Sequence, residues 1–353
     1  MRISVCKWII CYLRGVSVLL LFVSPVTSCG QLDTADTQPF TLIAIPDTQY
    51  YTMNRPDADW RWAQNAIKEM FLAQTEWIVQ NKETHNIKFV LHLGDIVYNT
   101  NNSEQWENAR ECMNVLDGNI PYALCAGNHD GCQRTMVGGP NNTIHYNNYF
   151  PWSRYKDLSS TGGNFKSDLA GPMDNTYHYY NGGGVDFMIL SIEFGPHDDV
   201  IDWVNAVLSE PAHADKKIII LTHGWLNGRT PVAIAGNEDA PQSEKYFREN
   251  DPVDLWERAI KKHPNVFLIL NGHNGVSNRL VQYGEKGNII HMAESDFNGL
   301  EIDGKFGGGF GFLRIMQFDP TTDEITVTSY SPWRDEFLTD DKNQFVLENI
   351  GVF

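Results

Sequence analysis

Five apolar segments of the sequence each end in side chains that can bind a metal ion or transfer a proton. The segments are FTLIAIP, KFVLHL, YALCA, KIIILT and VFLIL. The side chains that follow them are Asp47 and Gln49, Asp95, Asn128 with His129 and Asp130, His223, and His273. Neutral imidazoles together with carboxylate and amide oxygens are a ligand set for divalent transition metals. An aspartate that bridges two such ions would provide a two-metal hydrolytic site.

The elements that must position these side chains can be predicted from the hydrophobic pattern. Continuous apolar runs of strand length are typical of strands buried on both faces. Helical spacing lies between them, over residues 59–82 with Asp59 as a cap and again after Asp251 and Pro252. This alternation predicts an α/β fold with a largely parallel sheet, whose strands end at a common edge. After residue 276 the pattern changes to hairpins, so the C-terminal part is predicted to be rich in strands.

The composition limits the classes of partner. The chain has 353 residues, of which 42% are hydrophobic, enough for a large core. With 27 basic and 44 acidic residues the net charge is −17, which disfavours binding to a nucleic acid duplex. A small phosphate-containing substrate is still compatible, because bound metal cations reverse the local field.

The N-terminal residues indicate export. Arg2, Lys7 and Arg14 precede the apolar segment VSVLLLFV, the pattern of a secretory signal. The sequence VTSCG resembles a bacterial lipobox, which predicts a signal peptide over residues 1–28 and an acylated Cys29 as the first mature residue. An uncleaved anchor or an ordinary signal cut nearby is the alternative. We therefore expect a periplasmic, outer-membrane or cell-surface lipoprotein that meets the membrane only through Cys29.

The remaining chain is divided by composition. Residues 30–39 are predicted to be a tether, residues 40–333 the folded domain and residues 334–353 a C-terminal extension. Three cysteines follow Cys29, namely Cys112, Cys125 and Cys132. An odd number cannot pair completely within one chain, so one disulfide at most is expected, with its partners open.

The strand-end motifs, in their order along the chain, resemble those of the calcineurin-like metallophosphoesterase family. The matching sequences are PDTQ, LGDI, GNHD, THGW and NGHNG. Each is weak alone, but their combination and order are specific. The resemblance implies a four-layer α/β/β/α sandwich, with two mixed sheets flanked by helices and a metal site at the C-terminal ends of the strands.

The resemblance also implies a role for each residue. Asp95 would bridge two divalent ions (Mn, Fe, Zn or Mg), Asn128, His223 and His273 would complete one site, and Asp47 and Gln49 would hold the other. His129 would be the general acid that protonates the leaving group, and Asp130 would orient it. The implied reaction is hydrolysis of a small-molecule phosphodiester or phosphomonoester by a metal-bound hydroxide.

Two residues depart from the family pattern and weaken the first metal site. Gln49 stands where the family has a histidine, and Gly275 stands where it has the second histidine of Gly-His-x-His. We expect this site to prefer oxygen-binding ions such as Mn²⁺ or Mg²⁺. Asn274, His291 and Glu294 are candidates to compensate for the lost ligands. The alternative function is a degenerate, non-catalytic member that binds a phosphorylated ligand or a glycan.

Overall fold

The computed structural model of the chain describes residues 37–132, 140–227, 240–243, 245–246 and 248–353. The predicted signal peptide, Cys29 and most of the tether lie outside these residues. Among the described helices, none has the length and apolar character needed to cross a membrane. Every described residue belongs to the unit Ala35–Phe353.

Seven strands form the first sheet, which carries the first three strand-end motifs. In spatial order, six of the strands are β15, β14, β13, β1, β2 and β3, and β16 also pairs with β14. Strands β1, β2 and β3 run parallel, whereas the pairings that involve β13 to β16 are antiparallel. The bounds are β1 Phe40–Ile45, β2 Ile87–His92, β3 Tyr122–Leu124, β13 Leu313–Asp319, β14 Glu324–Ser331, β15 Glu336–Leu338 and β16 Phe345–Leu347.

Another seven strands form the second sheet, in the order β4, β5, β6, β7, β8, β10 and β9. The central strands β6, β7, β8 and β10 run parallel, and the edges are antiparallel. A separate two-stranded hairpin is formed by β11 and β12. The bounds are β4 Thr161–Phe165, β5 Asn175–Gly182, β6 Val185–Ile192, β7 Lys217–Thr222, β8 Val266–Asn271, β9 Ser277–Tyr283, β10 Ile289–Ser295, β11 Glu301–Ile302 and β12 Lys305–Phe306.

Helices cover the outer face of each sheet. Their bounds are α1 Gln49–Met53, α2 Lys68–Asn81, α3 Ser103–Met113, α4 Ile144–Tyr149, α5 Asp198–Leu208 and α6 Pro252–Arg258. Helix α5 begins with two acidic residues, which favour a helix N-terminus electrostatically. Helix α6 begins with a capping box between Asp251 and Asp254 followed by Pro252, as its sequence predicts.

The buried apolar residues form three clusters that correspond to the spaces between four layers. One cluster joins α2 and α3 to the outer face of the first sheet. The middle cluster fills the space between the two sheets, for example with Leu42, Phe187 and Leu268. The third joins α5 and α6 to the outer face of the second sheet. The expected α/β/β/α sandwich with two mixed sheets is confirmed, and the expectation of a largely parallel sheet is wrong for the antiparallel edges.

The helix predicted from Asp59 begins nine residues later, at Lys68. Arg61–Ala63 form a single 3₁₀ turn, and Asn65 then adopts a left-handed backbone conformation with φ of 63°. The Asn65 side chain donates a hydrogen bond to the Phe306 carbonyl at 2.8 Å. This long-range contact holds the chain out of helix where the spacing of apolar residues alone favours one.

Residues 334–353 contribute directly to the sandwich. Strands β15 and β16 extend the first sheet through β14. Four apolar side chains of this segment lie in the cluster between the sheets, namely Phe345, Leu347, Ile350 and Val352. Cys112, Cys125 and Cys132 are buried free thiols, so the disulfide that the sequence allowed does not form among them.

Phe187 lies at the centre of the packing between the sheets, and its truncation should destabilise the fold. Its ring is fully buried and lies 5.7 Å from Phe40, 4.7 Å from Tyr180 and 5.9 Å from Phe318, centroid to centroid. We expect Phe187→Ala to lower the free energy of unfolding by about 3–5 kcal/mol, because it removes buried contacts and leaves a cavity. Urea denaturation measures this change.

The matched control is Phe337→Ala, because Phe337 is 52% exposed. It should change the free energy of unfolding by less than about 1 kcal/mol. An equal loss in both variants would contradict the assignment of Phe187 to the core between the sheets.

Candidate metal centre

The predicted site residues follow the C-terminal ends of five strands. Asp47 and Gln49 come after β1, Asp95 after β2, and Asn128 to Asp130 after β3 in the first sheet. His223 follows β7 and His273 follows β8 in the second sheet. The parallel pairing brings the ends of β1, β2 and β3 together, and likewise those of β7 and β8. Hydrogen bonds and short contacts connect the members of the set across the two sheets.

Asp95, His223 and His273 form the centre of the site. One ligand atom from each lies within 4.8 Å of the others. His223 Nδ1 lies 2.9 Å from the Leu93 carbonyl oxygen, which can only accept, so Nδ1 carries a proton. His223 Nε2 then faces the inside of the site, 3.2 Å from Asp95 Oδ1 and 3.1 Å from Asn128 Oδ1. In the neutral ring this nitrogen has a lone pair directed at two acceptor oxygens, an arrangement that a shared cation stabilises.

The pKa shifts of His223 and Asp95 agree with a cation shared between them. Burial lowers the pKa of His223, but the Asp95 carboxylate outweighs it, and the net pKa is raised. Burial raises the pKa of Asp95, but positive charge on His223 and then His129 outweighs it, and the net pKa is lowered. The space between the two side chains therefore favours a positive charge, whether a proton or a metal ion. His273 Nδ1 lies 3.2 Å from His223 Nε2, on the other side of that space.

Asp47 and Gln49 also contact this centre, with Asp47 Oδ2 4.0 Å from His223 Nε2. Both Asp47 oxygens accept from the His273 backbone N–H, at 3.4 and 3.2 Å. The Gln49 amide nitrogen donates to Asp95 Oδ2 at 3.1 Å. Burial, the Asp296 charge and then the Asp95 charge raise the pKa of Asp47. Uncompensated carboxylates of this kind are the electrostatic environment in which a buried divalent cation is favourable.

His92 and Thr48 connect the turns that carry Asp47 and Asp95. The Gly94 N–H donates to His92 Nδ1, so His92 Nε2 carries the proton and donates to the Thr48 hydroxyl at 3.0 Å. Thr48 in turn donates to the Ile96 carbonyl at 3.1 Å. Burial and then the His223 charge lower the pKa of His92 to about 3, so the ring stays neutral. These contacts make His92 a residue that supports the two turns and not a metal ligand.

Two motif glycines are required because a carboxylate lies against each. A Cβ atom at Gly127 would lie 2.2 Å from Asp95 Oδ1, and one at Gly272 would lie 2.1 Å from Asp47 Oδ1. No side chain can be accommodated at such distances. Asp95 and His273 themselves have φ angles of 49° and 91°, a conformation that non-glycine residues rarely adopt. Such strain at candidate ligand positions is consistent with a functional constraint.

His129 is half-buried beside the Asp95 carboxylate. Its backbone N–H donates to Asp95 Oδ1 at 2.9 Å. Its Nδ1 lies 2.6 Å from the Tyr98 carbonyl oxygen, and its ring stacks on Tyr98 with centroids 5.0 Å apart. Because the carbonyl only accepts, Nδ1 holds a proton and Nε2 is the atom that can exchange one with a ligand. Tyr98 therefore fixes the orientation and the tautomer of His129.

The prediction that Asp130 orients His129 is wrong, because the Asp130 carboxylate contacts backbone N–H groups instead. Asp130 Oδ1 accepts the backbone N–H groups of Ile96 and Val97 at 2.9 and 3.1 Å, and Oδ2 accepts that of Gly127 at 2.9 Å. The carboxylate thus joins the turn after β2 to the turn after β3. Asp130 therefore supports the turns that carry Asp95 and Asn128, through hydrogen bonds to their backbone.

Sequence analysis missed Asp296 and Asn298, which follow β10 at the same edge. Asp296 Oδ2 accepts the Gly275 N–H at 2.6 Å, and Asp296 Oδ1 accepts the Asn298 N–H at 2.9 Å. Asn298 Nδ2 donates to Gln49 Oε1 at 3.1 Å. The signal in the sequence is weaker than in the five recognised motifs, because NIIHMAES mixes apolar and polar residues before Asp296 and Asn298.

The three residues considered as compensating ligands make other contacts. The Asn274 amide donates to Glu294 Oε1 at 2.7 Å and to the Leu226 carbonyl at 2.8 Å. His291 lies on the same face of β10 as Ala293, which belongs to the apolar cluster between the sheets. Asn274 and Glu294 thus bind each other, and Asp296 is the acidic residue next to the first site.

Aromatic side chains and a buried ion pair line the side of the second sheet. The Phe194 ring lies 4.9 Å from the His273 ring, and the Tyr246 ring lies 5.4 Å from it. Arg248 pairs with Glu193 at 3.0 Å, and both are fully buried. Burial raises the pKa of Glu193, but Arg248 outweighs it and lowers the pKa to about 2. This pair fixes the segment that carries Tyr246 against the end of β6.

The sandwich and the composition of its strand-end site define a class, the metal-dependent hydrolases. The family model for calcineurin-like phosphoesterases matches residues 40–297, and the chain belongs to that family. The family is described as one of phosphoesterases, and its members use dinuclear metal centres. The predicted family and fold class are confirmed.

One curated relative and two solved structures extend the comparison. The chain is 31% identical over 320 residues to the uncharacterized protein YvnB of Bacillus subtilis (strain 168), covering 88% of this chain and 21% of YvnB. It thus spans about a fifth of the length of that relative. A dimetal phosphatase from Danio rerio is 13% identical, with a TM-score of 0.50 over 88% of this chain and 98% of that one, and shares the fold. The purple acid phosphatase PPD1 from yellow lupin (Lupinus luteus) seeds is 15% identical, with a TM-score of 0.49 over 89% of this chain and 54% of that one.

Asp130→Asn tests whether the Asp130 carboxylate joins the two turns. The variant replaces an acceptor of the Gly127 N–H by an NH₂ group and leaves that buried donor without a partner. We expect the free energy of unfolding to fall by about 1–3 kcal/mol, measured by urea denaturation. Asp57→Asn is the control, because Asp57 is exposed. If the two variants are equally stable, Asp130 does not support the site in this way.

Proposed function

We propose that the chain hydrolyses phosphate esters of small molecules at a dinuclear divalent metal centre. The observation that carries this proposal is the convergence of an imidazole nitrogen, a carboxylate oxygen and an amide oxygen: His223 Nε2 faces Asp95 Oδ1 and Asn128 Oδ1 at 3.2 and 3.1 Å. In such a space a divalent ion would satisfy all three lone pairs. His129, half-buried beside it, supplies an acid.

The residues fit two ions that share Asp95. Asn128, His223 and His273 would hold one ion with Asp95, and Asp47 and Gln49 would hold the other. When bound, the ions activate the attacking water and stabilise the negative charge that develops on the phosphoryl oxygens. We expect Mn²⁺ at the oxygen-rich first site, since carboxylate and amide oxygens suit that ion.

His129 is proposed to deliver the proton to the leaving group. The Tyr98 carbonyl holds Nδ1–H at 2.6 Å, so the proton that moves is on Nε2. An imidazolium in this position donates Nε2–H to the ester oxygen as the bond to phosphorus breaks. Stacking on Tyr98 keeps the ring plane fixed during this step.

A small substrate is favoured by the charge of the chain. The net charge of −17 repels an extended polyanion such as a nucleic acid duplex. The positive ions of the site attract a single phosphate group in spite of that charge. Substrate choice is assigned to loops within residues 131–175 and 224–250, parts of which lie outside the described residues.

The alternative is a phospho-ligand or glycan-binding protein without turnover. Gly275 favours it, because the position offers no ligand atom for the first site. The two functions differ in whether the metal-loaded protein turns over an ester, which one assay decides.

The test uses residues 30–353 loaded with Mn²⁺, with an aryl and an alkyl phosphodiester and the matching monoesters. We expect His129→Ala to lower kcat on the alkyl esters by about 10²–10⁴-fold, because a poor leaving group needs a proton. The loss should be smaller on the aryl esters, whose leaving group is stable as an anion. Metal content should stay unchanged in His129→Ala and fall in Asn128→Ala.

His85→Ala serves as the control, because His85 lies between α2 and β2, where no site residue is found. Undiminished turnover in both His129→Ala and Asn128→Ala would show that the site is elsewhere. A wild-type protein that binds metal but cleaves none of the esters with any divalent ion would favour the binding function.

We further propose that the chain is exported and acylated at Cys29, on the evidence of its N-terminal sequence. Cells fed a labelled fatty acid should label the wild-type chain and should not label Cys29→Ser. Cys112→Ser provides the control and should still be labelled, because Cys112 is a buried thiol of the folded unit. Label on Cys29→Ser would refute acylation at this residue.

A further inference from the structure

Position 275 lacks the imidazole that would complete the first metal site, and Asp296 lies against that position. The Gly275 N–H donates to Asp296 Oδ2 at 2.6 Å. The Asp296 N–H donates to the Val276 carbonyl at 2.9 Å, so the two turns are joined in both directions. The carboxylate is thus fixed beside the backbone of residue 275, at the end of a strand parallel to the one that precedes His273.

The Asp296 carboxylate keeps free acceptor capacity. Each of its oxygens accepts one backbone N–H, from Gly275 and from Asn298. A carboxylate oxygen has two lone-pair sites, so both oxygens retain one for a further partner. The side chain is 2% exposed, and no lysine or arginine in the described part of the chain forms an ion pair with it. Like Asp47, it is a buried negative charge that a cation would stabilise.

A second observation connects the Asp296 turn to a ligand. Asn298 Nδ2 donates to Gln49 Oε1 at 3.1 Å, and Gln49 Nε2 donates to Asp95 Oδ2 at 3.1 Å. The other amide atom of Asn298, Oδ1, is buried and has no hydrogen-bond partner among the described atoms. A buried carbonyl oxygen without a partner is unfavourable, because its hydrogen bond to water is lost and not replaced.

Turning both amides by 180° exchanges the positions of their oxygen and nitrogen atoms and produces a ligand arrangement. Asn298 Oδ1 then accepts from Gln49 Nε2, and Gln49 Oε1 lies beside Asp95 Oδ2. Two oxygens about 3 Å apart repel each other unless a cation lies between them. The turned arrangement is therefore the one that a bound ion selects, and Asn298 holds it.

We propose that the turn after β10 completes the first metal site, with Asp296 as a ligand in place of the imidazole absent at Gly275 and Asn298 as the residue that directs the Gln49 oxygen to the ion. This inference rests on the proposed dinuclear centre and adds the ligands that distinguish this chain. The resulting site consists of oxygen atoms, from Asp47, Gln49, Asp95 and Asp296. Such a site takes a hard divalent ion such as Mn²⁺ or Mg²⁺.

Metal stoichiometry and affinity test the inference without any assay of activity. Equilibrium dialysis with Mn²⁺ should give two ions on the wild-type chain. Asp296→Asn should retain one ion and bind the second about 100-fold more weakly or worse, and Asn298→Ala should weaken it by about 10-fold. The electron paramagnetic resonance spectrum should change in Asp296→Asn from that of a coupled pair to the hyperfine pattern of an isolated Mn²⁺.

The matched control is Glu294→Gln, which removes a buried carboxylate two residues away that contacts Asn274. It should keep both ions, which separates ligation from a general loss of negative charge. Gly275→His in the Asp296→Asn background should restore the second ion: its Cβ would lie no closer than 3.4 Å to other atoms, and the strain of a side chain at a φ of 68° is checked by confirming that the variant folds. Restoration would assign both positions to one site.

The outcomes separate this inference from the proposed function. A wild-type chain that binds no Mn²⁺ overturns both. Two ions of unchanged affinity in Asp296→Asn overturn the role of Asp296 alone. Should that variant fail to fold, wild-type crystals soaked in Mn²⁺ decide instead, because anomalous scattering must place an ion within bonding distance of an Asp296 oxygen. An ion bonded elsewhere overturns the inference.

Discussion

Three buried carboxylates that converge without a lysine or arginine partner are the constraint on which the rest of the structure depends. Asp47, Asp95 and Asp296 are each at most 2% exposed, and in the described ranges none forms an ion pair with lysine or arginine. Buried like charges are unfavourable unless cations or hydrogen bonds compensate them. The chain compensates these charges only in part, through backbone N–H groups and the His223 imidazole. Divalent cations would supply the remaining positive charge, so we expect metal binding to stabilise the folded chain.

The sequence predicted the parts of the site that are local in the chain. Each recognised motif comes directly after a buried strand, and the strand dictates that the next residues lie at the sheet edge. For this reason the sequence alone places Asp95, His223 and His273 together. The family resemblance supplied their roles, and the four layers followed from it. The start of helix α6 was also predictable, because Asp251 followed by Pro252 is a typical N-terminal cap.

Other parts depended on contacts that no local pattern encodes. Strand β10 pairs with β9 as a hairpin and also with β8 in parallel, and only the hairpin was predicted, which hid Asp296 at the strand end. The partner of His129 is a backbone carbonyl, and a carbonyl has no signature in the sequence. Asp130 follows His129 directly and suggested a dyad, yet its oxygens face backbone N–H groups of another turn. Adjacency in the chain does not give the direction of a side chain.

The candidate metal centre depends on strands that lie beyond the family-matched segment, at the C-terminal end of the chain. That segment ends at residue 297, whereas β1, which leads to Asp47, lies between β2 and β13 in the sheet. Apolar residues as late as Val352 pack between the two sheets. The shortest segment that could be transferred to another protein with the site intact therefore runs from β1 to Val352. Grafting the motif-bearing part alone into another scaffold would leave β1 as an unpaired edge, and the register that aligns its aspartate would be lost.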